Sequence, residues 1–339
     1  MFHRRGGPEA LVYEDVADPE PGPDEVLVRV RACGVNHMDI YVREGSHGMK
    51  APLPHIGGLE SVGEVAATGS AVADWEIGAR VLVLSFTADG TCESCRSGRD
   101  NLCAARQIIG VNRDGGFAEY VAVPGSALLR IPDHIPFVDA AALQGSFGTA
   151  WHMLVDRARL QPGETVLVLA AGSGVGSAAV QLARHLGCTV IATAGSEEKR
   201  TLALALGAQH VLPTAGHFDR EVLRLTGGRG ADVVAEHIGP DTWTKSVASL
   251  RIGGRLVTCG GSSGRMAATD LWSVFWKELT VLGSMGVTRA DMVHVLGLVG
   301  DGAVSPVIDR TFPLSATREA QVYLAERRAF GKVVIVPEE

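Results

Sequence analysis

Up to about residue 125 the chain shows short alternating apolar and polar runs, at 25–31, 63–67, 79–84 and 117–123, each cut by Gly or Pro. Alternation with period two turns one strand face to a core and the other to water, so this stretch predicts an all-β, barrel-like half. From about residue 140 the punctuation changes. Continuously apolar runs at 165–169, 189–193, 209–212, 231–235, 255–258 and 279–282 are separated by helical patterns of ten or more residues. Strands apolar on both faces that alternate with helices predict a covered parallel sheet, and about six of them is the number in a doubly wound dinucleotide fold. After Met285 come one more helix, a run at 304–312, a helix near 315–328 and a strand at 332–336, with no internal repeat or low-complexity tract.

The 339 residues agree with two domains. Apolar residues make up 46% of the chain and charged residues 20%, a balance that excludes wholesale disorder and coiled coil. The 31 Lys and Arg against 38 Asp and Glu leave a net charge of −7, the wrong sign for gripping a phosphate backbone, so nucleic acid is not expected as a partner. No run approaches the ~18 apolar residues of a membrane span, and Arg4-Arg5-Gly6-Gly7-Pro8 interrupts any secretory apolar region, so we expect no membrane partner and a cytoplasmic location. Six cysteines are too few for a disulfide scaffold in a chain of this length, and three of them fall between 92 and 103, which points to metal.

The first apolar run of the second half leads into Ala171-Gly172-Ser173-Gly174-Val175-Gly176 and then a helical pattern. Small residues at this turn let backbone approach a pyrophosphate, whose charge the helix N-terminus stabilises. Its place at the head of a βαβ series separates this turn from an ordinary tight turn. Where an NAD-specific fold carries an acid at the end of the second strand, this chain reads Thr193-Ala194-Gly195-Ser196-Glu197-Glu198-Lys199-Arg200. No carboxylate blocks a ribose 2′-phosphate there. Ser196 can donate to that phosphate and Lys199 or Arg200 can pair with it, so NADP(H) is expected; the rival reading makes Ser196 a plain N-cap and the basic residues solvated. His237 and Gly260 follow later strands, whose carboxyl ends face the ligand crevice of such a sheet.

Cys92, Cys95 and Cys103 sit on a Gly-rich loop, and three thiolates at that spacing can converge on tetrahedral zinc. Structural zinc takes four ligands, and Asp89, three residues before Cys92, would supply an oxygen as the fourth. A closed site of this kind braces a loop and does not catalyse. The alternative, a Cys92-x-x-Cys95 redox pair, leaves Cys103 without a role.

Over essentially its whole length the chain resembles the medium-chain dehydrogenase/reductase superfamily of zinc alcohol dehydrogenases and quinone oxidoreductases. The resemblance rests on Cys33-Gly34-Val35-Asn36-His37-Met38-Asp39, Gly57-Gly58-Leu59-Glu60-Ser61-Val62-Gly63-Glu64-Val65, the cysteine loop with Gly98-Arg99-Asp100-Asn101-Leu102-Cys103, the glycine turn, and Gly331-Lys332-Val333-Val334. It implies a GroES-like β-rich catalytic domain, expected at 1–140 and 286–339, and a Rossmann NADP-binding domain at 141–285. It also implies a cleft between them, Thr149 beside the nicotinamide, and a homodimer or homotetramer joined through the Rossmann edge strand near 279–284.

The departures from the family's zinc enzymes carry the functional reading. Aligned on Asp39, the first catalytic-zinc column holds Asn36, the His of the second motif is Leu59, the third column falls near Gly145, and Met38 replaces a proton-relaying Ser or Thr. Leucine and glycine side chains cannot ligate zinc and Glu60 alone cannot hold it, so the catalytic zinc is expected to be missing. His37, Asp39, His55 and Glu60 are the residues that could build a different metal site. Without a Lewis acid, hydride transfer to a conjugated acceptor is easier to stabilise than alcohol oxidation, because its charge spreads to an oxygen that a few donors can hold. The expectation is an NADPH-dependent quinone or α,β-unsaturated carbonyl reductase. Asn36 and Gln144 would orient the acceptor, while His37, Tyr41, His55 or solvent would give the proton. The rivals are a zinc alcohol dehydrogenase with unusual ligands and a non-enzymatic NADPH-binding sensor.

Overall fold

The alternating run that starts at residue 25 becomes an eleven-residue strand, because its buried Val26, Val28 and Val30 lie on one face and its edges find three partners. In the computed structural model, which describes residues 1–338, the chain order is β1 (Glu25–Val35), α1 (His37–Glu44), β2 (Glu60–Thr68), β3 (Arg80–Val83), β4 (Tyr120–Pro124) and β5 (Leu128–Arg130). There follow β6 (Thr165–Val168), α2 (Gly174–His185), β7 (Thr189–Ala194), α3 (Glu197–Ala205), β8 (His210–Pro213), α4 (Phe218–Leu225), β9 (Ala231–Glu236), α5 (Pro240–Ala248), β10 (Leu250–Thr258), α6 (Leu271–Trp276) and β11 (Thr280–Gly283). The remainder is α7 (Arg289–Gly300), β12 (Ile308–Pro313), α8 (Thr317–Ala325) and β13 (Lys332–Val336). Among the described residues no helix is long and apolar enough to cross a membrane.

Two compact units are present, Met1–Gly145 with Val287–Glu339, and Ser146–Gly286. The first is built on a seven-stranded sheet in the order β12-β13-β1-β2-β3-β5, with β4 also paired to β1. Along β1, Glu25 to Arg29 pair with β4, whereas Cys33 to Val35 pair with Val333 to Ile335 of β13. That distant partner explains why β1 runs past residue 31, where local alternation ends. All its strand pairs are antiparallel except β12 with β13, so the expected β-rich half also recruits a parallel pair from residues 308–336. Two helices join it, α1 and α8, which pack on each other. Val28, Val30, Val65, Val81, Val121 and Val333 sit in its core, each such side chain worth roughly 1.5–3 kcal/mol when fully buried.

The second unit is a six-stranded parallel sheet in the order β11-β10-β9-β6-β7-β8. Central β6 and β9 are buried along their whole length, as their uninterrupted apolar sequence requires, while edge strands β8 and β11 are largely open. The strand order reverses between β6 and β9, which is where sheets of this type hold a ligand at their carboxyl ends. Next to edge strand β11, α6 leaves Trp272 and Trp276 stacked on each other and 64% and 69% exposed.

Candidate functional site

In the first unit, α1 begins where β1 ends, and Asp39 fixes that corner. One carboxylate oxygen of Asp39 accepts the Asn36 N–H at 2.7 Å, and the other accepts the N–H groups of Gly58 and Leu59, each at 3.2 Å. The first is a capping contact that starts the helix; the second pair ties α1 to the segment entering β2. Burial pushes the Asp39 carboxyl up to about 7 in spite of these donors and of Lys332 nearby. Gly45, in the left-handed region at φ 70°, ends the helix.

At this corner stands Glu60, the first residue of β2 and 2% exposed, and every donor around it comes from a different segment. Its Oε1 accepts the Gly145 N–H at 2.7 Å, and its Oε2 accepts Nδ2 of Asn36 at 3.1 Å and Nζ of Lys332 at 2.6 Å. Lys332, the first residue of β13, also donates to Oδ1 of Asn36 at 2.8 Å and to the Val35 carbonyl at 3.2 Å, so all three of its protons point inward. A buried ammonium and carboxylate this close neutralise each other, and breaking such a pair by removing one partner is costly. Gly145 completes the corner: a Cβ there would lie 2.4 Å from Oδ1 of Asn36 and 2.9 Å from Oε2 of Glu60, so no side chain fits. The residue sits in a π-helical stretch, Leu143–Gly148, a winding that often marks functional sites.

Three of the sequence-predicted residues are placed differently from expectation. Nδ2 of Asn36 donates to Glu60 and, at 3.3 Å, to the Gly34 carbonyl, so both of its protons are spent inside the corner and neither is left to orient an acceptor. Gln144 clasps Ser85, accepting its N–H at 3.1 Å and donating to its hydroxyl at 2.9 Å, which makes it a link between two loops. His55 has no exposed surface. Its ring meets Phe2 edge-on at 5.4 Å and lies 3.2 Å from Oδ1 of Asp114, away from Glu60, so it cannot hand a proton to a substrate. His37 and Tyr41 instead lie one helical turn apart on α1, with ring centroids 6.4 Å apart, and His47 stacks on Tyr41 at 4.0 Å. Desolvation and the charges of Arg327 and Lys332 push His37 below its ordinary value; burial and Glu44 push Tyr41 up.

A second cluster in the same unit gathers Asp89, Cys92, Cys95 and Cys103, whose ligand atoms all lie within 4.8 Å of one another. The Asp89 Oδ1 accepts the N–H groups of Thr91 and Cys92 at 2.7 and 2.9 Å, which orients the carboxylate, and the short helix Glu93–Arg96 brings Cys95 within 3.5 Å of Cys92, sulfur to sulfur. Tetrahedral zinc with Zn–S bonds of about 2.3 Å separates its sulfurs by just under 4 Å, so three thiolates and a carboxylate oxygen in this spread fit that ion.

In the second unit, β6 turns through Ala170, which has a positive φ of 47°, into α2. Ser173 caps α2 by accepting the Gly176 N–H at 2.9 Å, and its hydroxyl is 3.0 Å from Nε2 of His237, joining the two loops that flank the reversal point of the sheet. A Cβ on Gly176 would come within 2.2 Å of the Ala170 carbonyl, so glycine is required for this close packing, and Gly172, Gly174 and Val175 share the turn and the first residues of the helix. Buried Glu236 holds the second loop, accepting from Ile238 N, Thr242 and Ser246 at 2.7, 2.9 and 2.6 Å. Sequence reasoning missed Glu236, although a lone acid ending an apolar strand is a readable signal. At the end of β7, Ala194 is buried, Gly195 has open space around its Cα, and Ser196 caps α3 by accepting the Lys199 N–H at 3.2 Å. Arg200 is held by an ion pair with Glu197, so Ser196 and Lys199 are the better placed of the three toward a 2′-phosphate. Gly260 lies open after β10, with His237 O at 3.9 Å as the nearest group to a built Cβ, and Thr149 lies in the helical segment Thr149–Trp151. A glycine turn, a capped helix and an open strand end together fit a dinucleotide.

Comparison with known proteins agrees with this architecture. The family profile of a zinc-binding dehydrogenase matches residues 174–301, and that of an alcohol dehydrogenase GroES-like domain matches residues 22–133. An NAD-dependent alcohol dehydrogenase of Sulfolobus acidocaldarius is 32% identical over 99% of this chain and 98% of its own length. A quinone oxidoreductase of Pseudomonas aeruginosa is 34% identical over 99% and 98%. Among solved structures, one of an NAD-dependent alcohol dehydrogenase superposes with a TM-score of 0.94 at 43% identity, covering 98% of each chain. The chain belongs to the medium-chain dehydrogenase/reductase superfamily, with a GroES-like and a Rossmann domain, and it is an oxidoreductase of that type.

Proposed function

We propose that this medium-chain dehydrogenase/reductase is an NADPH-dependent reductase of quinones or α,β-unsaturated carbonyl compounds that works without a catalytic zinc. The observation that carries the reading is the saturation of Glu60: both oxygens are taken by Lys332, Asn36 and Gly145, and the built-in ammonium stands where an added cation would be repelled. The quinone oxidoreductase among its relatives supports the same reading.

Bound at the glycine turn, a reduced nicotinamide supplies a hydride to the acceptor, and one proton completes the addition of two hydrogens while the cofactor leaves oxidised. Ser173 and the first turn of α2 would hold its pyrophosphate, and Ser196 and Lys199 its 2′-phosphate. His37 and Tyr41 are the side chains on α1 that can donate to the acceptor oxygen and return the proton. Lys332 acts through Asn36 and Val35, fixing the start of α1 and hence the position of His37. The cysteine loop would hold one structural zinc through Asp89, Cys92, Cys95 and Cys103. The exposed Trp272 and Trp276 beside edge strand β11 suit burial against a second copy in a homodimer or homotetramer.

A screen of NADPH oxidation with quinones, enones and primary alcohols in the presence of a chelator tests this. Expected are turnover of a conjugated acceptor, no alcohol oxidation, and kcat/KM at least about tenfold higher with NADPH than with NADH, the worth of one charge-assisted contact. Chelator-sensitive alcohol oxidation would instead make it a zinc alcohol dehydrogenase. Tight NADPH binding with no turnover at all would make it a sensor.

A further inference from the structure

The exposed face of α1 carries a group of side chains that the reduction of a neutral acceptor does not call for. His37 and Tyr41 lie on it, and His47 stacks on Tyr41 at 4.0 Å and 26°, its backbone held in the left-handed region at φ 55°. The loop carrying His47 folds back on the helix through the Ser46 N–H, which donates to the Tyr41 carbonyl at 3.0 Å. From the other side α8 packs on α1, and the turn that closes α8, where the Arg327 N–H donates to the Leu324 carbonyl at 3.0 Å, presents exposed Arg327. Its charge is felt at both His37 and Tyr41. Two imidazoles, a phenol and a guanidinium are thus grouped around one helical face.

The carboxylates of the same segments are committed elsewhere. Asp39 is turned inward onto Gly58 and Leu59, Glu44 lies 3.3 Å from both Arg43 and the Ser46 hydroxyl, Glu326 pairs with Arg328 at 2.9 Å, and Glu60 holds Lys332. Such a face has N–H and O–H donors in excess of acceptors, and in a chain of net charge −7 that local excess is opposite in sign to the whole. Charge-assisted hydrogen bonds from guanidinium and imidazole suit a carboxylate or a phosphate.

We propose that the preferred acceptor is an α,β-unsaturated carbonyl compound that carries an anionic group, a carboxylate or a phosphate, held on this face by Arg327 with His37, Tyr41 and His47. The inference rests on the reductase reading and narrows it to a substrate class. Arg327 is a specificity residue here, and it takes no part in the transfer of hydride or proton.

The test uses the full chain and two acceptors with the same reacting carbons, (E)-4-oxopent-2-enoate and its methyl ester, with a phosphate-bearing enone as a further arm to separate the two anions. The acid is expected to exceed the ester in kcat/KM by about tenfold or more, and Arg327→Gln to reduce that preference by about tenfold, chiefly through KM. Arg327→Lys should restore part of it, because the charge is kept and the planar fork is lost. Arg328→Gln, in the same turn but paired with Glu326, should leave the preference unchanged and controls for a disturbed loop. An ester reduced as well as the acid, or a preference untouched by Arg327→Gln, overturns the proposal while the reductase reading stands. If neither compound is reduced, calorimetric binding of 4-oxopentanoate to the NADP-loaded protein decides: binding lost in Arg327→Gln supports the anion site, and absence of binding overturns it.

Discussion

Two corners of the GroES-like unit each gather acidic and polar side chains, and they solve opposite problems. Around Glu60 the protein brings its own cation, and every lone pair facing the centre already meets an N–H. Around Asp89 the chain converges three sulfurs and a carboxylate and encloses no cation of its own. The first corner is complete as folded; the second concentrates negative charge whose repulsion only an added ion relieves. The difference shows that the residue types in a cluster do not by themselves make a metal site. What decides is whether the fold has already supplied the positive charge.

The largest expected effect comes from removing that charge. Lys332→Met leaves Glu60 buried without its partner, and chemical denaturation should show a loss of about 3–5 kcal/mol. Adding Glu60→Gln should recover more than half of it, since the unpaired charge goes with the carboxylate. A Lys332→Met protein as stable as the parent would break the comparison.

A smaller effect is expected at the other corner. Dialysis against a strong chelator, or Cys103→Ser, should remove about one zinc per chain and lower Tm by about 5–10 °C, a few kcal/mol in a unit of this size. Metal analysis with calorimetry reads both. Two zinc ions per chain, one of them lost in Glu60→Gln, would return a metal to the first corner.

The smallest sharpens the account of Asp39. Its carboxyl is pushed up to about 7 from 3.8, so the folded chain holds this proton more tightly than the unfolded chain does. The stability it contributes is complete below about pH 4 and is lost as pH rises through about 7, with a slope of at most about 1.4 kcal/mol per pH unit. Denaturation curves from about pH 5 to about pH 8 should therefore flatten in Asp39→Asn.

Much of the molecule could be read from local pattern. The six parallel strands sit within a few residues of the apolar runs, and the strand Lys332–Val336 coincides with its run. The four candidate ligands of the cysteine loop lie within fifteen residues of one another, so spacing alone could suggest their convergence. What could not be read depends on distant pairing. Lys332 is 272 residues from Glu60, and nothing around either position announces the other. Gly145 looked like an empty ligand column; in the fold its missing side chain makes room for Asn36 and Glu60. His55 looked available because the bridge from Phe2 that covers it is formed by a segment more than fifty residues earlier. The three-residue strand β5 was too short to produce a period.

The split pairing of β1 sets an order of events as the polypeptide leaves the ribosome. Half of one edge of β1 is closed by β4, but the other half waits for residues 333–335, and the nucleotide-binding unit is synthesised in full between the two. That inner unit has all of its strands in hand first and can fold while the surrounding one is still open. Until residue 332 emerges, the carboxylate of Glu60 has no ammonium to meet, so the active-site corner is the last part of the enzyme to close, and a nascent chain halted before that point would display an unfinished sheet edge for chaperones to cover.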